Sequence, residues 1–299
     1  MSRKVTLLDG AVGTSLWERS DDRNPVWTYN LVKPDLVKRL EKDFIEVGAK
    51  IILTNTFGAN RPAVEASSKM DPLEVVAAGA RIARQALREK QAEEPGKYED
   101  VSIALAFGPL STMLEPWGEL SAEECHEAYR EILEAGMAGE PDIIELMTFM
   151  DLDMLKIGVE EALKFGVPVF ASMSFTEFGR TIMGNGVDDI VAALEPMGVA
   201  ALGVNCSLGP DKALPILKEF AAKSRLPILF KPNAGIPITS SDGTTSNACT
   251  PETFSEAFEQ AFPYADYVGG CCGTSPEYLK AVKLRMDGYN KLQEPCAGQ

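Results

Sequence analysis

The chain of 299 residues contains a single histidine, His126. One histidine cannot build a metal site from two or three imidazoles, and a histidine-based general-base relay is possible only if His126 itself takes part. His126 follows the segment SAEEC within a predicted helix, where we expect an ordinary helical residue. The chemistry of the protein must therefore come from other side chains.

Basic charge and long apolar runs are also scarce. The chain has 29 Lys and Arg against 44 Asp and Glu, a formal net charge of −15, so nucleic acid is not an expected partner, because its binding requires a basic surface. No apolar run approaches the about 18 residues of a membrane span. The opening MSRKVTLLDG lacks the apolar core of a secretory signal. We expect no membrane association and a cytoplasmic location, where thiols stay reduced.

Short apolar runs alternate with helical segments along the whole chain. Eight runs are rich in Val, Ile and Leu, as is typical of strands buried on both faces of a parallel sheet. They are VTLLD, KIILTN, VSIALAF, DIIELM, VPVFASM, ALGVNC, LPILFKP and DYVGGC. Helix start signals stand between them, such as Asp71 before Pro72 and the capping-box spacing at 121–124.

Eight strand–helix units predict an α/β fold of the (β/α)8 TIM barrel type, as a single domain over residues 1–290, followed by a C-terminal tail over 291–299. An open doubly wound sheet is the competing fold. The sequence has no GxGxxG or phosphate-loop spacing that would support a nucleotide-binding version of it.

Two predicted connections are unusually long, residues 174–189 after the fifth strand and 233–250 after the seventh. Both would lie at the C-terminal face of the barrel, where the active sites of barrel enzymes are built. Long loops in a compact domain are typical of lids and binding loops, and a disordered surface excursion is the alternative.

Three of the six cysteines stand where predicted strands end. Cys206 ends the sixth strand in GVNC, and Cys271 and Cys272 end the eighth in GGCCGT. The carboxyl ends of barrel strands converge on one mouth, so these thiols should lie together. Neighbouring residues of a regular strand point to opposite faces, so both vicinal thiols can share a ligand only if the backbone leaves the pleat. The three glycines of GGCCGT permit that departure.

Three thiolates at one mouth predict a metal site, with Zn²⁺ as the expected cofactor. Zinc prefers four tetrahedral ligands, and three protein ligands leave one position open, as in catalytic sites. A bound cation deprotonates a thiol at neutral pH, so a substrate thiol could be activated without a histidine base. Hydrolysis is the other use of an open site. An adjacent disulfide between Cys271 and Cys272, and two unrelated buried thiols, remain as alternatives.

The other three cysteines, Cys125, Cys249 and Cys296, are expected to be bystanders in a helix, in the long loop and in the tail. Cys249 is the one among them that could approach the mouth.

Six segments carry the pattern of a known family: LLDGAVGT, TNTFGAN, DIIELMTF, GVNCSLGP, KPNAGIP and GGCCGT. By these motifs, which span nearly the whole chain, it resembles the homocysteine S-methyltransferase family, most closely the homocysteine-binding barrel of cobalamin-dependent methionine synthase. The resemblance implies that Cys206, Cys271 and Cys272 bind zinc. It also implies that the sulfur of homocysteine takes the fourth position, with no catalytic residue beyond the zinc ligands.

The resemblance further implies a substrate-binding set. Asp9 and Glu145 would lie near the substrate ammonium group, and the backbone N–H groups of Gly10 and Val12 would meet the substrate carboxylate. Asn205 would orient the site or cap a strand end. A turn-forming role for Asp9 and a buried ion pair for Glu145 are the alternatives.

Residues at the end of the second strand are expected to shape the pocket or simply to pack. They are Thr54, Asn55, Thr56 and Phe57.

The function implied is a zinc-dependent methyl transfer to the thiol of homocysteine, giving methionine. A separate methyl-corrinoid protein is the expected donor partner, and a small onium donor such as S-methylmethionine or betaine is the alternative. An onium donor would require an aromatic cage. The candidates for this cage are Trp17, Trp27, Tyr29, Trp117 and Phe178. A related thiol or selenol acceptor, and a non-catalytic subunit that binds homocysteine or metal, are further alternatives.

Overall fold

The computed structural model describes residues 4–235, 238–239, 245–246 and 249–294. Half of the long segment 233–250 after the seventh predicted strand, and the end of the predicted tail with Cys296, lie outside the described residues. The predictions for those positions stay predictions.

Eight strands form one parallel sheet, and each overlaps one of the eight predicted apolar runs, the fourth strand extending two residues beyond its run to Phe149. The strands of this sheet are β1 Thr6–Leu7, β2 Ile51–Leu53, β3 Ser102–Phe107, β4 Ile143–Phe149, β5 Val169–Met173, β6 Ala201–Asn205, β7 Ile228–Lys231 and β10 Tyr267–Val268. Between β7 and β10, the strands β8 Ile238–Thr239 and β9 Thr245–Ser246 form a separate antiparallel hairpin.

The sheet closes on itself. Its order is β1-β10-β7-β6-β5-β4-β3-β2, and a parallel bridge between Leu8 and Ile51 joins the first strand to the last in that order. The prediction of a (β/α)8 TIM barrel is confirmed, and the open doubly wound alternative is excluded.

Helices connect the strands and cover the outside of the barrel. They are α1 Val12–Glu18, α2 Tyr29–Val32, α3 Pro34–Glu46, α4 Arg61–Ser67, α5 Pro72–Glu93, α6 Ala122–Gly136, α7 Leu152–Leu163, α8 Val187–Leu194, α9 Pro210–Lys223, α10 Pro251–Glu259 and α11 Pro276–Leu292. The predicted start signals work as expected: the Asp71 carboxylate accepts the N–H of Leu73 at 3.0 Å, and the capping box at 121–124 is present. No described helix is both long and apolar enough to span a membrane.

Both faces of the sheet are buried, which explains why the strands read as continuous apolar runs. On β2, Ile51 and Leu53 point into the barrel while Ile52 packs against the helices. The inner cluster also contains Ala106, Met147 and Cys271 among others. The barrel interior is therefore filled with side chains up to the mouth at which the cysteines lie.

His126 lies in α6, as expected, away from the barrel interior. Its Nδ1 is 2.6 Å from Oε1 of Glu161 on α7, which makes it a link between two outer helices.

Candidate metal and substrate site

The three cysteines singled out in the sequence come together at the barrel mouth. The sulfur atoms of Cys206, Cys271 and Cys272 lie within 4.8 Å of one another, and those of Cys206 and Cys272 are 3.7 Å apart. Two thiolates on one tetrahedral zinc with bonds of about 2.3 Å stand about 3.8 Å apart. All three thiols are free, so the adjacent disulfide is absent. The donor set and its spacing fit zinc.

Irregular backbone brings the sulfurs together. Cys206 follows directly on β6 and has φ 59°, in the left-handed region that residues other than glycine rarely adopt. Its N–H donates to the carbonyl oxygen of Lys231 at 2.9 Å, and the N–H of Cys271 donates to that of Pro232 at 2.8 Å. Both cysteine segments are therefore anchored to the end of β7, which lies between β6 and β10.

Glycines permit the vicinal cysteines to leave the pleat, as predicted. Strand β10 ends at Val268, before the pair. A Cβ on Gly270 would lie 2.2 Å from Oγ1 of Thr274, and Gly273 has φ 81°. The hydroxyl of Thr274 donates to the carbonyl oxygen of Cys271 at 2.6 Å. Any side chain at position 270 would disrupt this tight turn.

Hydrogen bonds among the three thiols shift their pKa values in opposite directions. Hydrogen bonds from Cys271 and Cys272 lower the pKa of Cys206 to about 3. The hydrogen bonds to Cys206 raise the pKa of Cys272 to about 11 and that of Cys271 above its usual range. Repulsion from Cys206 adds to the raised pKa values of Cys271 and Cys272, and a bound divalent cation would favour the thiolate form of all three.

Asn205 supports the site from within the barrel, and it is fully buried. Its Oδ1 accepts the N–H of Thr148 and the hydroxyl of Ser172, each at 2.8 Å. Its Nδ2 donates to Oγ1 of Thr148 at 2.6 Å and lies 3.9 Å from Sγ of Cys271. One amide thus joins β4, β5 and β6 to a cysteine, which is consistent with the predicted orienting role.

Thr148 has an unusual conformation that sequence analysis did not detect. Its φ is 65°, and the pairing of β4 with β5 shifts register between Leu146 and Phe149. A β-branched residue in the left-handed region is strained, and such strain persists where surrounding contacts fix it. The two hydrogen bonds to Asn205 fix it here.

A cavity of about 240 Å³ opens beside the cysteines. Residues 10–14 at the start of α1, residues 53–55 at the end of β2, and Met147 and Thr148 line it together with the three cysteines. Phe57 and Trp17 also line it, whereas Thr56 is buried and donates to the carbonyl oxygen of Ala106. Among the described residues that line the cavity, none is charged.

The predicted substrate-binding residues divide into two groups. Gly10 and Val12 line the cavity, and the amides at the start of α1 have no acceptor within the helix. Asp9, Glu145 and Asn205 are 1 %, 0 % and 0 % exposed and do not line it. Their predicted contacts with the substrate stay predictions.

A buried lysine contacts both carboxylates. Nζ of Lys231 lies 3.3 Å from Oδ1 of Asp9 and 3.5 Å from Oε1 of Glu145. Burial raises the pKa of Asp9 to about 6, although the charge of Lys231 lowers it. Burial alone would lower the pKa of Lys231, but the charges of Glu145 and Asp9 outweigh this, so its pKa is raised.

Sequence analysis missed Lys231, Thr148 and Met147 as residues of the site. A signal existed for Lys231, because a charged residue within the buried run LPILFKP requires a partner. Met147 and Thr148 gave no such signal, since they read as ordinary strand residues.

The five proposed cage aromatics are not gathered in one place. Trp17 lines the cavity, whereas Trp27 and Tyr29 belong to the outer core. Trp117 and Phe178 are exposed and lie outside the cavity wall.

The remaining described cysteines lie outside the thiol cluster. Cys125 is buried in α6. The thiol of Cys249 donates to the carbonyl oxygen of Ala234 at 2.9 Å, close in sequence to the anchoring strand end but outside the group of three sulfurs.

Comparison with known proteins gives one family and one fold. A family model described as Homocysteine S-methyltransferase matches residues 6–286. Methionine synthase from Mycobacterium leprae (strain TN) is 28 % identical over 307 residues, covering 97 % of this chain and 25 % of the relative. Methionine synthase from Mycobacterium tuberculosis (strain ATCC 25618 / H37Rv) is 29 % identical over 299 residues, covering 94 % of this chain and 24 % of that relative. The chain therefore spans about a quarter of the curated relatives it matches.

Among solved structures, the metallated form of the homocysteine methyltransferase MmuM from Escherichia coli superposes with a TM-score of 0.80 at 21 % identity, covering 95 % of this chain and 96 % of that one. At this identity the match shows the barrel fold.

Proposed function

The chain belongs to the homocysteine S-methyltransferase family, and we propose that it transfers a methyl group to the thiol of homocysteine, giving methionine. The convergence of the three sulfur atoms within 4.8 Å, at the edge of a cavity, is the observation that carries this proposal. Cys206, Cys271 and Cys272 would hold the zinc. When bound, zinc supplies a Lewis acid that favours the thiolate form of a substrate thiol.

The chain's own residues would orient the substrate. Gly10 and Val12 line the cavity, and their N–H groups would bind the substrate carboxylate, with a favourable dipole from the N-terminal end of α1. The N–H of Ala11, between them, already donates to the carbonyl oxygen of Thr274. Asn205 would keep Cys271 in position through its amide.

The bond changes of the transfer balance without a histidine. The sulfur of homocysteine loses its proton to solvent and forms a bond to the methyl carbon, while the bond from that carbon to the donor atom breaks and its electron pair leaves with the donor.

A methyl-corrinoid protein is our proposed donor, because GVNCSLGP and KPNAGIP resemble the barrel of cobalamin-dependent methionine synthase. One observation favours a small onium donor as the second candidate: the aromatic side chains of Trp17 and Phe57 line the cavity, and such rings attract cations. We propose a cytoplasmic location, where the three thiols stay reduced.

The test combines metal content with turnover. Purified wild-type chain should contain about one zinc per chain, Cys206→Ala should lose it, and Cys125→Ala, which changes a cysteine outside the cluster, should keep it. Wild-type chain should form methionine from homocysteine with a methyl-corrinoid protein or with S-methylmethionine or betaine. Stoichiometric zinc in Cys206→Ala would refute the metal site. Zinc binding without turnover on any donor would favour a non-catalytic subunit.

A further inference from the structure

Lys231 is a charged residue enclosed in the barrel interior. It follows the inward-pointing Leu229 by two positions on β7, so its side chain also points inward. Its side chain is 0 % exposed. A Cβ on Gly269 would lie 3.4 Å from Cγ of Lys231 and 2.7 Å from the carbonyl oxygen of Asp9. The absence of a side chain at position 269 therefore allows the close approach of this segment to the backbone of Asp9, with the lysine stem packed beside it.

The two carboxylates beside Lys231 are already engaged. Oδ1 of Asp9 contacts Nζ of Lys231, and its Oδ2 accepts the N–H of Leu53 at 2.8 Å. Glu145 contacts Lys231 through Oε1, while its buried Oε2 has no hydrogen-bond partner among the described residues. An ammonium group in this position is thus a normal part of the folded chain.

The same carboxylates are separated from the cavity. Glu145 lies between Ile143 and Met147 on the inward face of β4, and Met147 is the member nearer the mouth. Met147 lines the cavity, whereas Glu145 and Lys231 do not. Glu145 therefore lies one inward-facing position deeper in the barrel than the residue of β4 that lines the cavity.

From these contacts we infer that Lys231 determines the acceptor specificity of the site. Its ammonium group takes the place beside Asp9 and Glu145 that the α-ammonium of homocysteine would otherwise take. The site therefore accepts small thiol carboxylates whether or not they carry an ammonium group. This inference rests on the proposed function and widens its substrate class, and it opposes the prediction that these carboxylates bind the substrate ammonium.

The affinity for an analogue without the ammonium group shows whether the site binds the substrate ammonium or whether Lys231 takes its place. A site built to hydrogen-bond a substrate N–H group rejects the analogue that lacks it by about 10⁴-fold. If Lys231 fills that place, the analogue loses no contact, and its affinity should stay within about tenfold of that of homocysteine.

The experiment is calorimetric titration of the zinc-loaded wild-type chain with three thiols. They are homocysteine, its desamino analogue 4-sulfanylbutanoate, and 3-sulfanylpropylamine, which keeps the ammonium and lacks the carboxylate. We expect the first two to bind with Kd values within tenfold and the third to bind much more weakly. A desamino analogue that binds a hundredfold or more weakly than homocysteine would overturn the inference.

Lys231→Met tests the residue itself. Without the lysine the two carboxylates lack their partner and become available to the substrate ammonium. The ratio of the affinity for homocysteine to the affinity for 4-sulfanylbutanoate should therefore be at least tenfold higher than in wild type. Lys97→Met, which removes an exposed lysine paired with Glu94, should leave the ratio unchanged. An unchanged ratio in a folded Lys231→Met would overturn the assignment, and if that variant does not fold, the wild-type ratio decides.

Turnover separates this inference from the proposed function. Homocysteine that binds but is methylated by no donor refutes the methyltransferase proposal, while the ratio of the Kd values still decides the role of Lys231. A chain that binds none of the three thiols refutes both.

Discussion

Replacing Asn205 by Ala is the change that best probes the polar support beneath the three thiols. The substitution removes three hydrogen bonds, two partly buried ones exchanged with Thr148 and a buried one donated by Ser172. Each contributes about 1 kcal/mol, and the partly buried N–H of Thr148 left without a partner costs up to about 3 kcal/mol. We therefore expect the free energy of unfolding to fall by about 3 to 5 kcal/mol.

The same substitution should weaken zinc binding without touching a ligand. Nδ2 of Asn205 lies 3.9 Å from Sγ of Cys271, and its bonds to Thr148 hold the neighbouring end of β4. Loss of a residue that orients a metal ligand typically lowers metal affinity by 10- to 100-fold, so a decrease of about that size is expected.

Urea unfolding followed by tryptophan fluorescence and circular dichroism measures the stability, and competition with a chromophoric chelator measures the zinc affinity. Ser172→Ala is the matched control, because it removes only the hydroxyl that donates to Oδ1 of Asn205. It should cost about 1 kcal/mol and leave the zinc affinity unchanged. An Asn205→Ala chain that loses less than about 1 kcal/mol and binds zinc as wild type does would refute the reasoning.

Three further predictions concern charge, metal and backbone. Glu41 is buried, neither of its carboxylate oxygens has a hydrogen-bond partner among the described residues, and burial raises its pKa well above 4.5. The folded chain holds a proton there that the unfolded chain releases, so this contribution to stability is lost as pH rises above 4.5. The stability of Glu41→Gln relative to wild type should therefore increase as pH rises above 4.5 in urea unfolding, by at most about 1.4 kcal/mol per pH unit, and parallel pH profiles would contradict this. Zinc at a hundred times its Kd should raise Tm by about 4 °C, whereas a variant with serine at positions 206, 271 and 272 should show no shift. Glu140 has φ 51°, so Glu140→Gly should stabilise the chain by about 1 kcal/mol in the same unfolding assay, and a loss of stability would be the contrary result.

The sequence was sufficient to predict the barrel and the meeting of the three thiols at its mouth. Strands buried on both faces must be continuously apolar, and eight such runs alternating with capped helices leave few architectures. Because barrel closure brings the carboxyl ends of all strands to one mouth, cysteines at two strand ends had to meet there. Their positions in sequence thus determined their meeting in space.

The tertiary structure alone decided which polar groups line the cavity and which contact one another inside the barrel. Thr148 lines the cavity at a register shift between β4 and β5. Met147 also lines the cavity, whereas Glu145 lies deeper in the barrel and does not. Lys231 reaches Asp9 across 222 positions of sequence. Such contacts depend on strand stagger, local backbone irregularity and the length of one side chain. No periodicity in the sequence encodes these quantities, because they are set only when the closed barrel fixes its interior.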